Sequence, residues 1–441
     1  LPLERQLSWF WAKNESGRTG AVSLRHGEED DEIIDFCIDI VDDVCHSLDN
    51  RKAHPGRESL QGQAESRLFS AGTLSLDAPR LVKHDTSTGI RHPPPSSMPA
   101  QIGFAIVGSG HVSRYHHVAI EACARRGARL VAVASRDPSN DTAIRTRYGA
   151  PVLTFAEVCR HPAVDVVALC SPSGCHAEQA VAAARGEKHL IVEKPMAVSL
   201  DAADCMVAAS ADARRLLAVA FQRRTQPLFR RLKALVAEGQ LGDLLMANLV
   251  LPYQRPRRYF DAAPWRGTWA QDGGGVLINQ GIHLVDLLVW LWGEPVAVQA
   301  MAATRHHQIE AEDTAAAVLR FSNSVLATVT ATTAVSPGFA HRLELYGTRG
   351  GVQIEGDRVV TCRLAGGDAT ARFSQPEEAG APGREGGKAA GHIALYHNFL
   401  DALEKGTPLI CDGREGRRSL NAILKLYEAI GLRPQPPPFA I

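Results

Sequence analysis

Between residues 101 and 221 five short apolar runs, IGFAIVG, ARLVAVAS, VDVVALC, HLIVEKP and LLAVAF, alternate with alanine-rich stretches of helical pattern. Each run reads as a strand buried on both faces, and the helices between them as crossovers that return the chain to the same edge. That rhythm predicts a doubly wound parallel α/β sheet. After residue 221 the order changes. A helix is expected over 227–238, a strand over 244–251 and a second helix over 276–292, followed by long alternating strands over 296–303, 314–321, 325–333, 341–347 and 352–363. Alternation of that kind predicts a mostly antiparallel sheet with one open face. Residues 364–390 read as a mobile Gly-rich loop, and helices over 393–404 and 416–430 close the chain.

These textures divide the 441 residues into a dinucleotide-binding domain over 101–221 and a substrate-binding and oligomerisation domain over 222–441. Residues 1–100 read as a disordered leader or an upstream extension. They hold charged clusters, one apolar burst over 33–44 at the spacing of a single amphipathic helix, and a closing run RHPPPSSMP with Met98 just ahead of the first strand.

Charge narrows the partners. With 48 basic and 48 acidic side chains and 45% apolar residues, nothing favours nucleic acid or a membrane surface. No stretch of 18 apolar residues occurs, the first twenty residues lack the order of a signal peptide, and a cytoplasmic location is expected. The nine cysteines are scattered without a C-x-x-C pair, so reduced thiols and no metal site are expected, Cys170 and Cys175 included.

The first strand runs into Gly108-Ser109-Gly110-His111-Val112-Ser113, glycines that permit a tight turn and let main-chain N–H groups approach a pyrophosphate at a helix start. Ser113 stands where a third glycine is usual. The second strand ends in Ser135-Arg136-Asp137, where an acidic residue would take the ribose hydroxyls of NAD. A hydroxyl and a guanidinium suit a 2′-phosphate, which favours NADP, while Asp137 keeps NAD open.

The strand HLIV ends in Glu193-Lys194-Pro195, at the sheet edge where doubly wound folds bind ligands. An ammonium there lowers the cost of a developing alkoxide, and the following proline keeps Lys194 out of helical geometry. Downstream, Asp272-Gly273-Gly274-Gly275 opens a helix on which Asn279 and His283, four apart, share a face. Histidine is a natural acid or base near neutrality, and an amide one turn away can orient it or bind a hydroxyl. Alone, Lys194 would be an ordinary surface lysine and His283 a core histidine; their joint register points to proton handling, with Asn279 as orienter.

Together G-S-G-H-V-S, S-P-S-G-C-H-A-E, E-K-P and D-G-G-G-x-x-x-N-Q-G-I-H-L-V-D-L-L resemble the Gfo/Idh/MocA oxidoreductases over roughly residues 101–432. The resemblance implies an N-terminal Rossmann domain, a C-terminal α/β domain with an open sheet, and action on sugars, sugar derivatives or cyclic polyols. It implies that Lys194 contacts nicotinamide and substrate, that His283 is the acid or base, and that Ser171, Pro172, His176 and Glu193 lie along the cofactor. Many members carry Asp where this chain has Asn279, which cannot hold a negative charge. W-R-G-T-W together with the glycine and histidine motifs also resembles the branch that oxidises nucleotide-linked N-acetylamino uronates.

The loop from Tyr253 to Tyr259 brings Arg255, Arg257 and Arg258 near Trp265, and Arg258 and Trp265 are candidate substrate contacts beside Lys194, Asn279 and His283. Two other readings stay open: a nicotinamide-binding sensor or scaffold without chemistry, and a redox-neutral NAD-dependent glycosidase. The open sheet face, with Leu, Val and Thr of 325–333 directed to it, predicts a homodimer or homotetramer.

Overall fold

A computed structural model describes residues 9–13, 19–23, 101–136, 141–373 and 383–432. Strands β1 (Trp9–Lys13) and β2 (Thr19–Ser23) form an antiparallel pair with Trp11 opposite Ala21. The remainder of the leader, with the helix expected over 33–44, and Asp137 lie outside the described residues.

The first large sheet contains β3 (Ile102–Val107), β4 (Ala128–Ala134), β5 (Val152–Leu153), β6 (Val166–Leu169), β7 (His189–Val192) and β8 (Leu217–Val219). Its order is β5-β4-β3-β6-β7-β8, with every neighbour parallel. All residues of β3 and β6 are buried, as a central strand covered by helices on both faces requires. The helices are α1 (His111–Ala122), α2 (Asp141–Tyr148), α3 (Phe155–Arg160), α4 (His176–Arg185) and α5 (Leu200–Asp212). The order reverses between β3 and β6, which opens a crevice at their carboxyl ends. This is a Rossmann sheet.

The second sheet follows α6 (Pro227–Ala237). It is built from β9 (Leu244–Pro252), β10 (Pro295–Ala303), β11 (Thr314–Phe321), β12 (Leu326–Thr332), β13 (Arg342–Gly347), β14 (Gly350–Glu355), β15 (Arg358–Leu364) and β16 (Gly367–Asp368). Its order is β10-β11-β12-β9-β13-β14-β15-β16, antiparallel except where β12 runs beside β9. Helices α8 (Ile282–Trp292) and α10 (Gly413–Ile430) pack on one face, while α9 (Gly383–Lys405) returns to the Rossmann sheet and lies against α1. The short α7 (Arg257–Asp261) sits in the basic loop.

Several sequence expectations need correction. The single strand expected over 352–363 is two strands, because Gly356 takes a left-handed turn (φ +56°) between β14 and β15. Part of the loop expected over 364–390 is ordered: β16 and a turn at Thr370–Phe373 bury Phe373, and α9 begins at Gly383. On β12 the open face receives Leu326, Thr328 and Thr330, whereas Val325 and Val329 are fully buried on the other side. The period-two alternation sends neighbours to opposite faces.

One buried ion pair joins the turn after β8 to the helices of the second domain. Arg224, fully withdrawn from solvent, donates from Nε to Asp286 Oδ2 at 3.0 Å and from Nη2 to Oδ1 at 2.7 Å. Its Nη1 reaches Glu415 at 3.0 Å, and Ser419 donates to Asp286 at 2.6 Å. Asp286 lies on α8 three residues after His283, so the pair holds the helix that carries that histidine. Removing one partner strands a buried charge. Asp286→Ala is expected to lose about 3–5 kcal/mol of unfolding free energy, measured by urea denaturation; a loss below about 1 kcal/mol would contradict this.

Candidate active site

The crevice at the ends of β3 and β6 is shaped for close main-chain approach. Gly108 has φ +97°, and a Cβ there would lie 2.8 Å from the carbonyl of Cys170. Gly110 caps α1 without a side-chain hydrogen bond, and a Cβ built on it meets nothing within 4 Å. The start of α1 is thus uncapped and open at Gly110, and the first N–H groups of a helix are a favourable place for an anion. Ser113 in place of the third glycine is buried and satisfied: its hydroxyl donates to the Gly110 carbonyl and pairs with Tyr148 Oη at 2.7 Å.

The other residues expected at the cofactor edge lie at the start of α1, just after β4 and in the loop after β6. Ser109 and Val112 are half-buried, and His111 is exposed at the start of α1, its Nε2 3.1 Å from Tyr115 Oη. Half-buried Ser135 and exposed Arg136 directly follow β4. Ser171 donates to Gln179 at 2.5 Å, and Pro172 leads into the turn Ser173–Cys175. The buried His176 points one ring nitrogen at the Ser171 carbonyl (2.8 Å) and the other at the Pro195 carbonyl (3.0 Å), tying this loop to the end of β7.

At that end Glu193 is buried between two histidines. His116 of α1 and His392 of α9 each present Nε2 to Glu193 Oε1, at 3.0 and 3.1 Å, and Tyr396 pairs with the other nitrogen of His116 at 2.9 Å. Burial would raise the Glu193 pKa, but hydrogen bonds from both imidazoles hold it well below the usual carboxylate range. These three side chains cluster within 4.8 Å as metal ligands do, and the hydrogen bonds account for the spacing.

Lys194, half-buried and joined to Pro195 by a cis peptide, donates from Nζ to the Asn279 main-chain carbonyl at 2.9 Å. Burial pushes its pKa down, against the opposing charges of Glu193 and Asp272. The helix expected over 276–292 begins as a π turn, Leu277–Gly281, that passes into α8. Asn279 sits in that turn and donates from Nδ2 to both oxygens of Asp272 at 2.9 Å. Asp272, itself buried, accepts the Gly267 N–H at 2.9 Å; burial raises its pKa to about 6. Burial, together with the charges of Lys194 and Arg223, holds His283 well below 6.5, so it is neutral. Its Nδ1 is buried and has no hydrogen-bond partner among the described residues, and Phe221 meets the ring edge-on at 6.4 Å.

The basic loop does not offer all its arginines equally. Arg257 and Arg258 are exposed on α7. Arg255 and Arg266 instead cover the half-buried Tyr259, with guanidinium carbons 5.4 and 4.0 Å from its ring centre, and Arg266 also lies 5.6 Å from the half-buried Trp265. Burial raises the Tyr259 pKa, and its hydroxyl has Asn279 as a hydrogen-bond neighbour. Sequence reasoning had the ring of Tyr259 near the pocket but passed over roles for Asp272, Arg266 and the histidines flanking Glu193. Asp272 stood in a motif already noted; the histidines carried no local signal.

Residues 102–221 match the family description "Oxidoreductase family, NAD-binding Rossmann fold", and residues 229–353 match "GFO/IDH/MocA C-terminal domain". The chain belongs to the Gfo/Idh/MocA oxidoreductases. As in that family, it is an NAD-binding, nicotinamide-dependent oxidoreductase. Inositol 2-dehydrogenase of Rhizobium meliloti is 27% identical over 330 residues, spanning 72% of this chain and 94% of that protein. The WlbA dehydrogenase from Bordetella pertussis, solved with NADH and UDP-GlcNAcA, is 30% identical with a TM-score of 0.68 over 75% of this chain and 96% of its own. The Chromobacterium violaceum WlbA dehydrogenase, solved with the same two ligands, is 31% identical with a TM-score of 0.68, over 80% of this chain and 100% of its own.

The third glycine of the D-G-G-G turn is required by close packing, since a Cβ on Gly275 would lie 1.7 Å from the Glu312 carbonyl oxygen. The buried Glu312 carboxylate accepts N–H bonds from Gly275 (3.1 Å) and Leu277 (2.9 Å) and the Tyr427 hydroxyl (2.9 Å). Burial raises its pKa from 4.5 to about 7 in spite of them. The folded state therefore keeps a proton that the unfolded chain releases, so this group's contribution to stability is full below pH 4.5 and falls as pH rises toward about 7. Glu312→Gln is expected to make the decline of stability between about pH 5 and pH 7 shallower than in the parent protein. Urea denaturation across that range measures it, and parallel curves would contradict it.

Proposed function

We propose that this chain is an NAD(P)-dependent dehydrogenase or reductase for a secondary alcohol or ketone on a sugar, sugar derivative or cyclic polyol. The observation that carries this is the Lys194 ammonium held on the Asn279 carbonyl at the carboxyl end of β7, with a neutral His283 under the influence of its charge. Bound nicotinamide supplies the hydride acceptor or donor. Residues 101–221 hold it, with Gly108, Ser109, Gly110, His111 and Val112 at the pyrophosphate, Ser135 and Arg136 at the ribose, and Ser171, Pro172, His176, Glu193 and Lys194 along the nicotinamide side. Arg136 gives a 2′-phosphate a partner, which favours NADP; the relatives solved with NADH support NAD.

In the oxidative direction Lys194 stabilises the developing alkoxide, and the imidazole of neutral His283 is the group suited to take the hydroxyl proton. Asn279 orients the reacting group. Residues 222–441 form the substrate side, where Trp265 and the arginine-covered Tyr259 offer stacking surface and Arg258 an exposed cation at the rim. An anionic, nucleotide-linked uronate is the substrate favoured by this basic loop and by the UDP-GlcNAcA of the WlbA relatives. The seven cysteines among the described residues are all free thiols. No helix among the described residues is long and apolar enough to cross a membrane.

Lys194→Ala and His283→Ala are each expected to lower kcat by about 10²–10⁴-fold, with the NADH dissociation constant nearly unchanged in His283→Ala. Stopped-flow absorbance with NAD and NADP on inositols, free uronates and UDP-linked uronates supplies the first quantity, and nicotinamide fluorescence the second. Near-normal turnover in both variants overturns the assignment.

The open face of the second sheet exposes Met246, Met301, Val318 and Leu326, Met301 at 79%. A shallow groove of about 470 Å³ crosses it, lined mainly by apolar and threonine side chains such as Val250, Met301, Ala316 and Thr330. A second copy of the chain is the expected cover. Light scattering should report a dimer or tetramer, and a monomer at micromolar concentration would refute this.

A further inference from the structure

Asn279 offers the Lys194 ammonium no negative charge, yet a carboxylate stands directly behind it. Asp272 is 2% exposed, and both of its oxygens accept from Asn279 Nδ2 at 2.9 Å. A carboxylate can only accept, so this contact assigns the nitrogen end of the Asn279 amide to Asp272 and turns the oxygen end away from it. The same asparagine offers its main-chain carbonyl to Lys194. Asp272 is anchored in turn by the Gly267 N–H. Nothing in this arrangement depends on a bound ligand.

We propose that Asp272 is a positioning residue of the Lys194 site: acting through Asn279, its carboxylate supplies the negative charge that Asn279 lacks, holds the carbonyl that anchors the Lys194 ammonium, and presents the Asn279 amide oxygen as an acceptor for the substrate hydroxyl. The charged groups that face Lys194 are Glu193 from its own strand end, Asp272 from the glycine turn and Arg255 from the loop after β9, with neutral His283 on α8. Glu193 is engaged by His116 and His392, which leaves Asp272 as the anion whose partner also touches Lys194. The burial that raises Asp272 is opposed by its hydrogen bonds and by Lys194, so the two charges support each other. The role assigned to the amide oxygen rests on the reaction proposed above; the effect on Lys194 does not.

The test uses the full chain without substrate. The pH dependence of Lys194 acetylation by acetic anhydride, read by mass spectrometry, reports the titration of that ammonium whether or not the protein turns over. In Asp272→Asn or Asp272→Ser the midpoint is expected to fall by about one pH unit, and kcat by at least about tenfold. The double variant Asp272→Asn/Asn279→Asp moves the charge one side chain closer and is expected to restore the midpoint. An unchanged midpoint in a folded single variant overturns the proposal even if turnover or melting temperature drops, because a merely structural aspartate would affect those alone. A double variant that titrates like the single one overturns it as well. If neither single variant folds, a folded double variant with the parent midpoint supports the proposal, and an unfolded one counts against it. Normal turnover of Lys194→Ala and His283→Ala would remove the proposed reaction and leave the labelling result standing.

Discussion

Two opposite charges on adjacent residues, the buried Glu193 and the half-buried Lys194, sit at the end of one strand, and much of the surrounding structure compensates for that. An isolated buried ion is costly, so each needs hydrogen-bonding partners in fixed places. Glu193 takes them from the first helix of the Rossmann domain and from α9, near the end of the chain. Lys194 takes its partner from the π turn that leads into α8. The strand end therefore acts as a junction where three distant segments must meet before the charges are satisfied.

The same junction couples cofactor and substrate sides. His176 ties the loop after β6 to Pro195, and the Gly174 N–H donates to the Gln271 carbonyl at 2.8 Å, joining that loop to the glycine turn. Arg224 locks the turn after β8 to α8 and α10 through Asp286 and Glu415. A displacement of α8 would thus disturb His283, the Asn279 carbonyl and the Arg224 pair together. Buried polar networks of this kind favour one arrangement because every partial solution leaves a group unsatisfied.

Legibility differed by element. The Rossmann strands were plain because a strand buried on both faces is apolar throughout, and a glycine turn running into a helix is a local pattern. The β14–β15 hairpin was read as one strand because both halves alternate in the same way and only Gly356 marks the turn. The π turn at Leu277–Gly281 has no signature of its own, since its residues also suit an ordinary helix. Among the arginines, sequence proximity favoured Arg258, whereas the fold wraps Arg255 and Arg266 around Tyr259.

Local periodicity and short motifs were enough to determine the fold class, the crevice that receives a dinucleotide, and the candidacy of Lys194, Asn279 and His283, because each depends on residues within a strand or one or two helical turns. Tertiary structure alone decided the electrostatics. Glu193 and His392 are 199 residues apart, Lys194 and Asn279 are 85 apart, and no local pattern encodes such a meeting. Asp272 lies only seven residues from Asn279, but its approach to both Asn279 and Lys194 depends on how the glycine turn folds back under Glu312 and Tyr427. Burial shifts the pKa of Lys194 and Asp272 and hydrogen bonds from two histidines hold that of Glu193 down, and both are properties of the packed chain.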